Sequence, residues 1–296
     1  MKNFEIILIN DLSFDNSLKI IGNLQKYDNR IKIINNKKNM GTLYSRSIGA
    51  LAAKGKYIFA LDNDDIFSNE NLLKIIYKLA EKNNFDIVEF KSFNIPNYYP
   101  NISQVTDCVF THHQNNLILR QPQLGLFPIS KNNKFHSNDF FIWGKCIKSN
   151  IYKKAVNKLG KKRIFTYNCW TEDISIVFII FNIAESCIFV NIYGIFHLKS
   201  NNTTTNKISN NHRLITLIYL LDILFDFLGN NYESKKFAVE MALKRIPKIN
   251  FQDFKEEQKL YIKSVFIKLL NCEFIVEKDK MDLQNKFNLS NIISNY

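Results

Sequence analysis

Lys54-Gly55-Lys56-Tyr57-Ile58-Phe59-Ala60-Leu61-Asp62-Asn63-Asp64-Asp65 is the stretch on which the fold turns. Tyr57 to Leu61 is a short apolar run between a glycine and an acidic exit, which predicts a buried strand. Three carboxylates then fall within four residues. Like charges this close repel one another unless a cation or a basic side chain lies between them. Oxygen ligands at the carboxyl end of a strand suit a hard divalent metal. An ordinary strand-to-helix turn with Asp near an N-cap would read the same way, so both readings stand at this point.

Outward from this stretch, strands and helices alternate. Residues 4–10 and 31–34 are short apolar runs expected as strands. Residues 15–28 carry Leu18, Ile21 and Leu24 at helical spacing, and residues 43–54 form a helix closed by Gly55. After the acidic cluster, Ser68 is the expected N-cap of a helix with the apolar stripe Leu72, Ile75, Ile76 and Leu79. Residues 85–90 read as the next strand. This order predicts an α/β domain with a mostly parallel sheet flanked by helices.

From residue 96 to 141 the periodicity fades, and a long functional loop is expected. A helix over 150–159, another from Glu172 and a strand over 187–190 follow. Residues 206–296 are expected as a helical C-terminal extension, with Leu214, Leu217, Leu221, Leu224 and Leu228 on one stripe. In that first helix Asp222 and Asp226 read as a solvated face. Trp143 and Trp170 read as core packing.

The net charge of +13 attracts phosphorylated ligands or acidic membrane surfaces, but no nucleic-acid module accompanies it. Association with a membrane surface is compatible with it. The five cysteines lack metal or disulfide spacing and read as free thiols. No signal peptide is evident at Met1-Lys2-Asn3-Phe4, so the expected compartment is cytoplasmic.

Ligands of open α/β sheets bind at the carboxyl ends of the strands. There the chain places Asp11, the Asn39-Met40-Gly41 turn, Arg46 and the acidic cluster. An Asp can accept from a base N–H, while an Arg and a metal can neutralise a diphosphate. Phe4-Glu5-Ile6-Ile7-Leu8-Ile9-Asn10-Asp11 resembles the F-E-I-I-V-V-D-D segment of family 2 glycosyltransferases. Asn39-Met40-Gly41 with Ser45-Arg46-Ser47-Ile48-Gly49 is similar to their N-x-G…A-R-N-x-G. Leu61-Asp62-Asn63-Asp64-Asp65 is similar to L-D-x-D-D, Trp143-Gly144-Lys145 to W-N-K, and Thr171-Glu172-Asp173 to the acidic acceptor-site pair.

The resemblance implies a GT-A fold over residues 1–205. It also implies inverting transfer of a sugar from a nucleotide-diphosphate sugar, usually a UDP-sugar, to a glycan, protein or lipid-linked acceptor. The implied cofactor is Mn²⁺ or Mg²⁺, held by Asp64. Asp173 would be the general base with Glu172 beside it, and Asp11, Arg46 and Asp62 would contact the donor. His197 and Lys199 are the candidates for the diphosphate.

Two departures stand out. Leu12 occupies a position that is usually Gly. The family also begins with a strand and helix that precede the F-E-I-I segment, so the GT-A-like domain is expected to be N-terminally incomplete. The absent strand would lie between the strands over 4–10 and 57–62. An inactive protein of the same fold, acting as a binding or scaffold module, is the alternative. A nucleotidyltransferase would be expected to show a glycine-rich phosphate loop near its first strand, and a glycosidase two facing carboxylates without a nucleotide site.

Overall fold

The computed structural model describes residues 3–95, 106–109, 117–119, 141–164, 171–198, 209–227, 251–271 and 280–281. The chain divides into two compact units, residues 1–203 and 204–296. In the first, the order is β1 (Ile6–Asn10), α1 (Ser17–Tyr27), β2 (Ile31–Asn35), α2 (Thr42–Ala52), β3 (Tyr57–Phe59), β4 (Ile66–Phe67), α3 (Leu72–Lys82) and β5 (Ile87–Ile95). Then come β6 (Thr106–Val109), β7 (Leu117–Leu119), β8 (Lys145–Lys148), α4 (Ser149–Leu159), α5 (Lys161–Ile164), α6 (Glu172–Ile183) and β9 (Cys187–Leu198).

The architecture is α/β, but the expected parallel character is diluted. β1 and β2 pair in parallel as a two-stranded sheet. The second sheet runs β3-β8-β5-β9-β4, with β6 on β5 and β7 on β9. Within it only β5 and β9 pair in parallel. β8 lies antiparallel to both β3 and β5, so those two point the same way without pairing. β3, β5 and β9 run in one direction, β4 runs against them, and β8, a strand from much later in the chain than β3 and β5, is inserted between those two. Two short strands, β6 and β7, also interrupt what the sequence suggests is one long loop.

Among the described residues, β1 pairs only with β2, and β3 only with β8. The break between the two sheets therefore lies between β1 and β3. Glu5, just ahead of β1, spans it: its Oε1 accepts from the backbone N–H of Lys54 (2.6 Å) and Gly55 (2.9 Å), just ahead of β3. None of α1 is buried, although its apolar residues are helically spaced.

The core forms where α3 meets the second sheet. Leu72, Ile76 and Ala80 pack with Phe85, Val88, Phe90, Trp143, Cys146, Val190 and Ile195. The expected cap of α3 moves: Asn71 takes that position, and Ser68 instead donates its hydroxyl to the Tyr193 carbonyl at 2.7 Å. Ser68 is therefore a tie between β4 and β9. Cys146 and Cys187 are both buried, and burial pushes the Cys146 thiol far above its ordinary range.

In the second unit, α7 (Asn210–Phe227) is followed by a short 3-10 turn at Phe251–Asp253 and by α8 (Glu256–Leu270). Asp222 is not on a solvated face: it is buried and accepts from Lys268 Nζ and Tyr261 Oη, each at 2.9 Å. It ties α7 to α8, while Asp226 stays exposed. Residues 228–250 of the expected helical extension, Leu228 among them, and Trp170 lie outside the described residues. Among the described residues no helix is long and apolar enough to cross a membrane.

Candidate active site

The site is assembled by three chain segments that converge on one guanidinium. α2 opens at Gly41, whose φ of +83° lies in the left-handed region that favours glycine. Asp11, leaving β1, organises this helix start. Its Oδ1 accepts from Met40 N–H (2.8 Å) and Asn36 Nδ2 (2.7 Å), and its Oδ2 accepts from Gly41 N–H (2.8 Å). A carboxylate offers about four lone-pair sites, so Asp11 has room for about one further donor.

One turn into α2, Arg46 projects its guanidinium toward the exit of β3 and the start of α6. Nη2 donates to Asp62 Oδ1 at 2.6 Å. Nη1 donates to Asp173 Oδ1 and lies 3.6 Å from Glu172 Oε1. Glu172 and Asp173 occupy the first turn of α6, where the helix dipole favours negative charge. Burial works the other way. It disfavours the Arg46 cation too, yet Asp173, Asp62 and Glu172 together hold its pKa well above the usual value.

One cation faces three carboxylates here, so they do not all ionise at their usual pH. Burial, then the Asp173 charge, pushes the Glu172 carboxyl up to about 8. Burial also raises Asp173, with Arg46 pulling in the opposite direction. Burial thus raises both acids of the pair, and Arg46 is the cation that pulls each of them back toward the ionised form. The second oxygen of Asp173 accepts from Ile142 N–H at 3.3 Å.

The other half of the acidic cluster faces β9. The turn is closed by Asp65 N–H donating to the Asp62 carbonyl at 3.1 Å. The Asp65 side chain is fully buried, and its Oδ1 meets His197 Nδ1 at 2.8 Å and Leu198 N–H at 3.2 Å. The hydrogen bond to Asp65 raises the His197 pKa above its ordinary value. His197 lies flat against Trp143 (5.2 Å between ring centroids), and Trp143 stacks on Phe141 (4.3 Å). Trp143 is thus a buried core residue whose face also supports a site residue. Asp64 has no ion pair among the described residues. Its carboxyl is pushed up by burial and then by Asp65 and Asp62.

The fold therefore joins Arg46, Asp62, Glu172 and Asp173 directly and sets Asp64, Asp65 and His197 on the other side of the same turn. Asp11 stands at the foot of α2, and Lys199 lies outside the described residues. The sequence reading leaves out Asn36, which donates to both Asp11 and Ser45. It also leaves out Asp65 as a support for His197, although its place in the acidic cluster is a visible cue.

Residues 1–142 match the sequence profile described as Glycosyl transferase family 2. The processive diacylglycerol beta-glycosyltransferase of Mycoplasma genitalium is 26% identical over 185 residues, which is 59% of this chain and 48% of that protein. The cholesterol galactosyltransferase of Borreliella burgdorferi is 38% identical over 90 residues, 30% of this chain and 24% of that protein. The chain thus matches about half the length of the first relative and less of the second. Among solved structures, S. aureus TarS 1-349 in complex with UDP-GlcNAc superimposes with a TM-score of 0.60 at 14% identity, covering 93% of this chain and 74% of that one. The architecture is that of GT-A glycosyltransferases.

Proposed function

We propose that this chain, whose residues 1–142 match glycosyl transferase family 2, moves a sugar from a nucleotide-diphosphate sugar to an acceptor hydroxyl with inversion. The observation that carries this reading is the bridge made by Arg46, which ties Asp62 at the exit of β3 to Asp173 at the start of α6. Asp62 would face the ribose side of the donor and Asp173 the acceptor.

A sugar hydroxyl becomes an adequate nucleophile as a base takes its proton. In the proposed step the acceptor oxygen bonds to the anomeric carbon. The bond from that carbon to the diphosphate oxygen breaks, with its electron pair leaving on the diphosphate. The hydroxyl proton goes to the Asp173 carboxylate. Arg46 favours the ionised form of that carboxyl against its burial, and the raised pKa of Glu172 limits the negative charge beside it. Asp11 would accept from the base, and His197 would face the diphosphate.

A divalent cation, Mn²⁺ or Mg²⁺, would be held at Asp64, whose carboxyl is disfavoured as an anion by burial and by Asp65 and Asp62, with His197 only partly offsetting them; when bound it would neutralise charge on the departing diphosphate. No group of three metal-ligating side chains occurs among the described residues.

The nucleotide-sugar reading draws support from TarS, crystallised with UDP-GlcNAc. A lipid acceptor draws support from two relatives named for diacylglycerol and cholesterol glycosylation. A second reading, a binding module without turnover, is favoured by the break between β1 and β3, which leaves the donor-side loops on separate sheets.

Transfer and donor hydrolysis measured over a panel of UDP-sugars with Mn²⁺, comparing wild type with Asp64→Ala and Asp173→Asn, test the proposal. Turnover in wild type that both variants lose is the expected result. Nucleotide binding without turnover would favour the module, and turnover unaffected by Asp173→Asn would overturn the assigned base.

A further inference from the structure

The turn from Phe141 to Lys145 touches both halves of the candidate site and is rigidly built. Gly144 has a φ of +73°, and a Cβ there would lie 2.9 Å from the Phe90 carbonyl. The Gly144 carbonyl accepts from Phe90 N–H at 2.8 Å, which fastens the turn to β5. Trp143, inside it, stacks on His197. Ile142 N–H points at Asp173 Oδ2.

The next residue, Lys145, is 2% exposed in its side chain. It stands directly opposite Glu89 in the antiparallel β5–β8 register, and Glu89 is 1% exposed. Lys145 Nζ lies 3.4 Å from Glu89 Oε1 and donates to the Phe141 carbonyl at 2.7 Å. Burying a lysine and a glutamate this deeply is costly and is a weak source of stability compared with an apolar pair. A hydrogen bond from an ammonium to a carbonyl is, however, a strong directional contact. It fixes the peptide between Phe141 and Ile142, whose N–H is the one that meets Asp173.

We infer that Lys145, charged and held by Glu89, is a positioning residue for Asp173: it orients the Phe141–Ile142 peptide toward the carboxylate and places a buried cation near it. This rests on the proposed role of Asp173 as base. The Lys145 charge favours the ionised form of Asp173. The other groups facing Asp173 are Arg46 from α2, Asp62 after β3, Glu172 on α6 and Tyr152 from α4, the last kept neutral by burial.

Two substitutions separate positioning from packing. Lys145→Met removes the cation and the peptide contact. Its acid limb in the rate–pH profile should rise by roughly half a unit to one unit, with kcat down about tenfold or more and donor KM within about threefold. Glu89→Gln keeps the lysine but removes its counter-charge, so its limb should move the other way. A purely structural role would lower both activities without moving the limbs in opposite directions, and that result overturns the inference.

If Lys145→Met does not fold, Glu89→Gln decides alone: an unmoved limb, or failure to fold as well, overturns the proposal. Asp173→Asn is run alongside. Retained turnover there defeats the base assignment itself. If the wild type shows no turnover, a ¹³C-carboxylate NMR titration of Asp173 in the same two variants reads the opposite shifts without catalysis.

Discussion

Arg46 and Asp173, separated by 127 positions in the chain, are joined by a hydrogen-bonded ion pair that closes the candidate site. The same guanidinium holds Asp62, so one side chain neutralises acids from two separate segments. Replacing Arg46 with Met would leave the carboxyl groups of Asp62, Glu172 and Asp173 without their cation. Stability should fall by about 3–5 kcal/mol, the usual cost of breaking a buried pair from one side. Lysine should recover only part of it, because an ammonium cannot fork to both partners. Urea denaturation of the three proteins checks this; an unchanged midpoint in Arg46→Met would contradict it.

Glu172 makes stability depend on pH. Its folded pKa of about 8 exceeds the ordinary 4.5, so the folded state holds a proton that the unfolded chain releases. The associated stabilisation is complete below pH 4.5 and disappears as the pH rises through 8. Glu172→Gln should therefore flatten the decline between about pH 5 and pH 8. Thermal melts of both proteins at pH 5, 6.5 and 8 measure it, and parallel curves would be evidence against a protonated Glu172.

Asp64→Ala should separate ligand binding from folding. Burial and the charges of Asp65 and Asp62 disfavour the ionised Asp64 carboxyl in the folded protein. Removing it should leave the melting temperature unchanged or slightly higher. Mn²⁺-dependent binding of UDP, followed by calorimetry, should be lost. Binding that survives the substitution would move the cation elsewhere.

Two backbone positions predict opposite effects. Leu12 has a φ of +59°, a left-handed conformation that costs a branched residue about 1–2 kcal/mol. Leu12→Gly should therefore stabilise the protein by about 1 kcal/mol. Gly144→Ala should destabilise it by about 1–3 kcal/mol, because it adds the same strain and a contact with Phe90 O. Denaturant midpoints for the pair test both signs at once.

Much of the site is legible in short segments. The apolar run from Tyr57 with its acidic exit, the Gly41 start of α2 and the acidic first turn of α6 each announce themselves through neighbours a few residues away. The partners of those segments do not. Arg46 reads as a nucleotide contact, yet its guanidinium is engaged by Asp62 and Asp173. Lys145 and Glu89 lie in short apolar-flanked runs where nothing marks them as facing each other, because their meeting depends on β8 entering the sheet beside β5. Asp222 and Asp226 share a helical spacing, but only α8 packing against α7 buries the first and leaves the second in water.

By itself, the sequence determined the α/β alternation, the strand that ends in carboxylates and the family pattern, since hydrophobic period, turn residues and local charge act over a few residues. The tertiary structure decided which strands touch, where the sheet breaks between β1 and β3, and which acid receives which base. Those choices depend on burial and on Coulomb interactions between groups a hundred positions apart, and such groups acquire a distance only once the chain has folded.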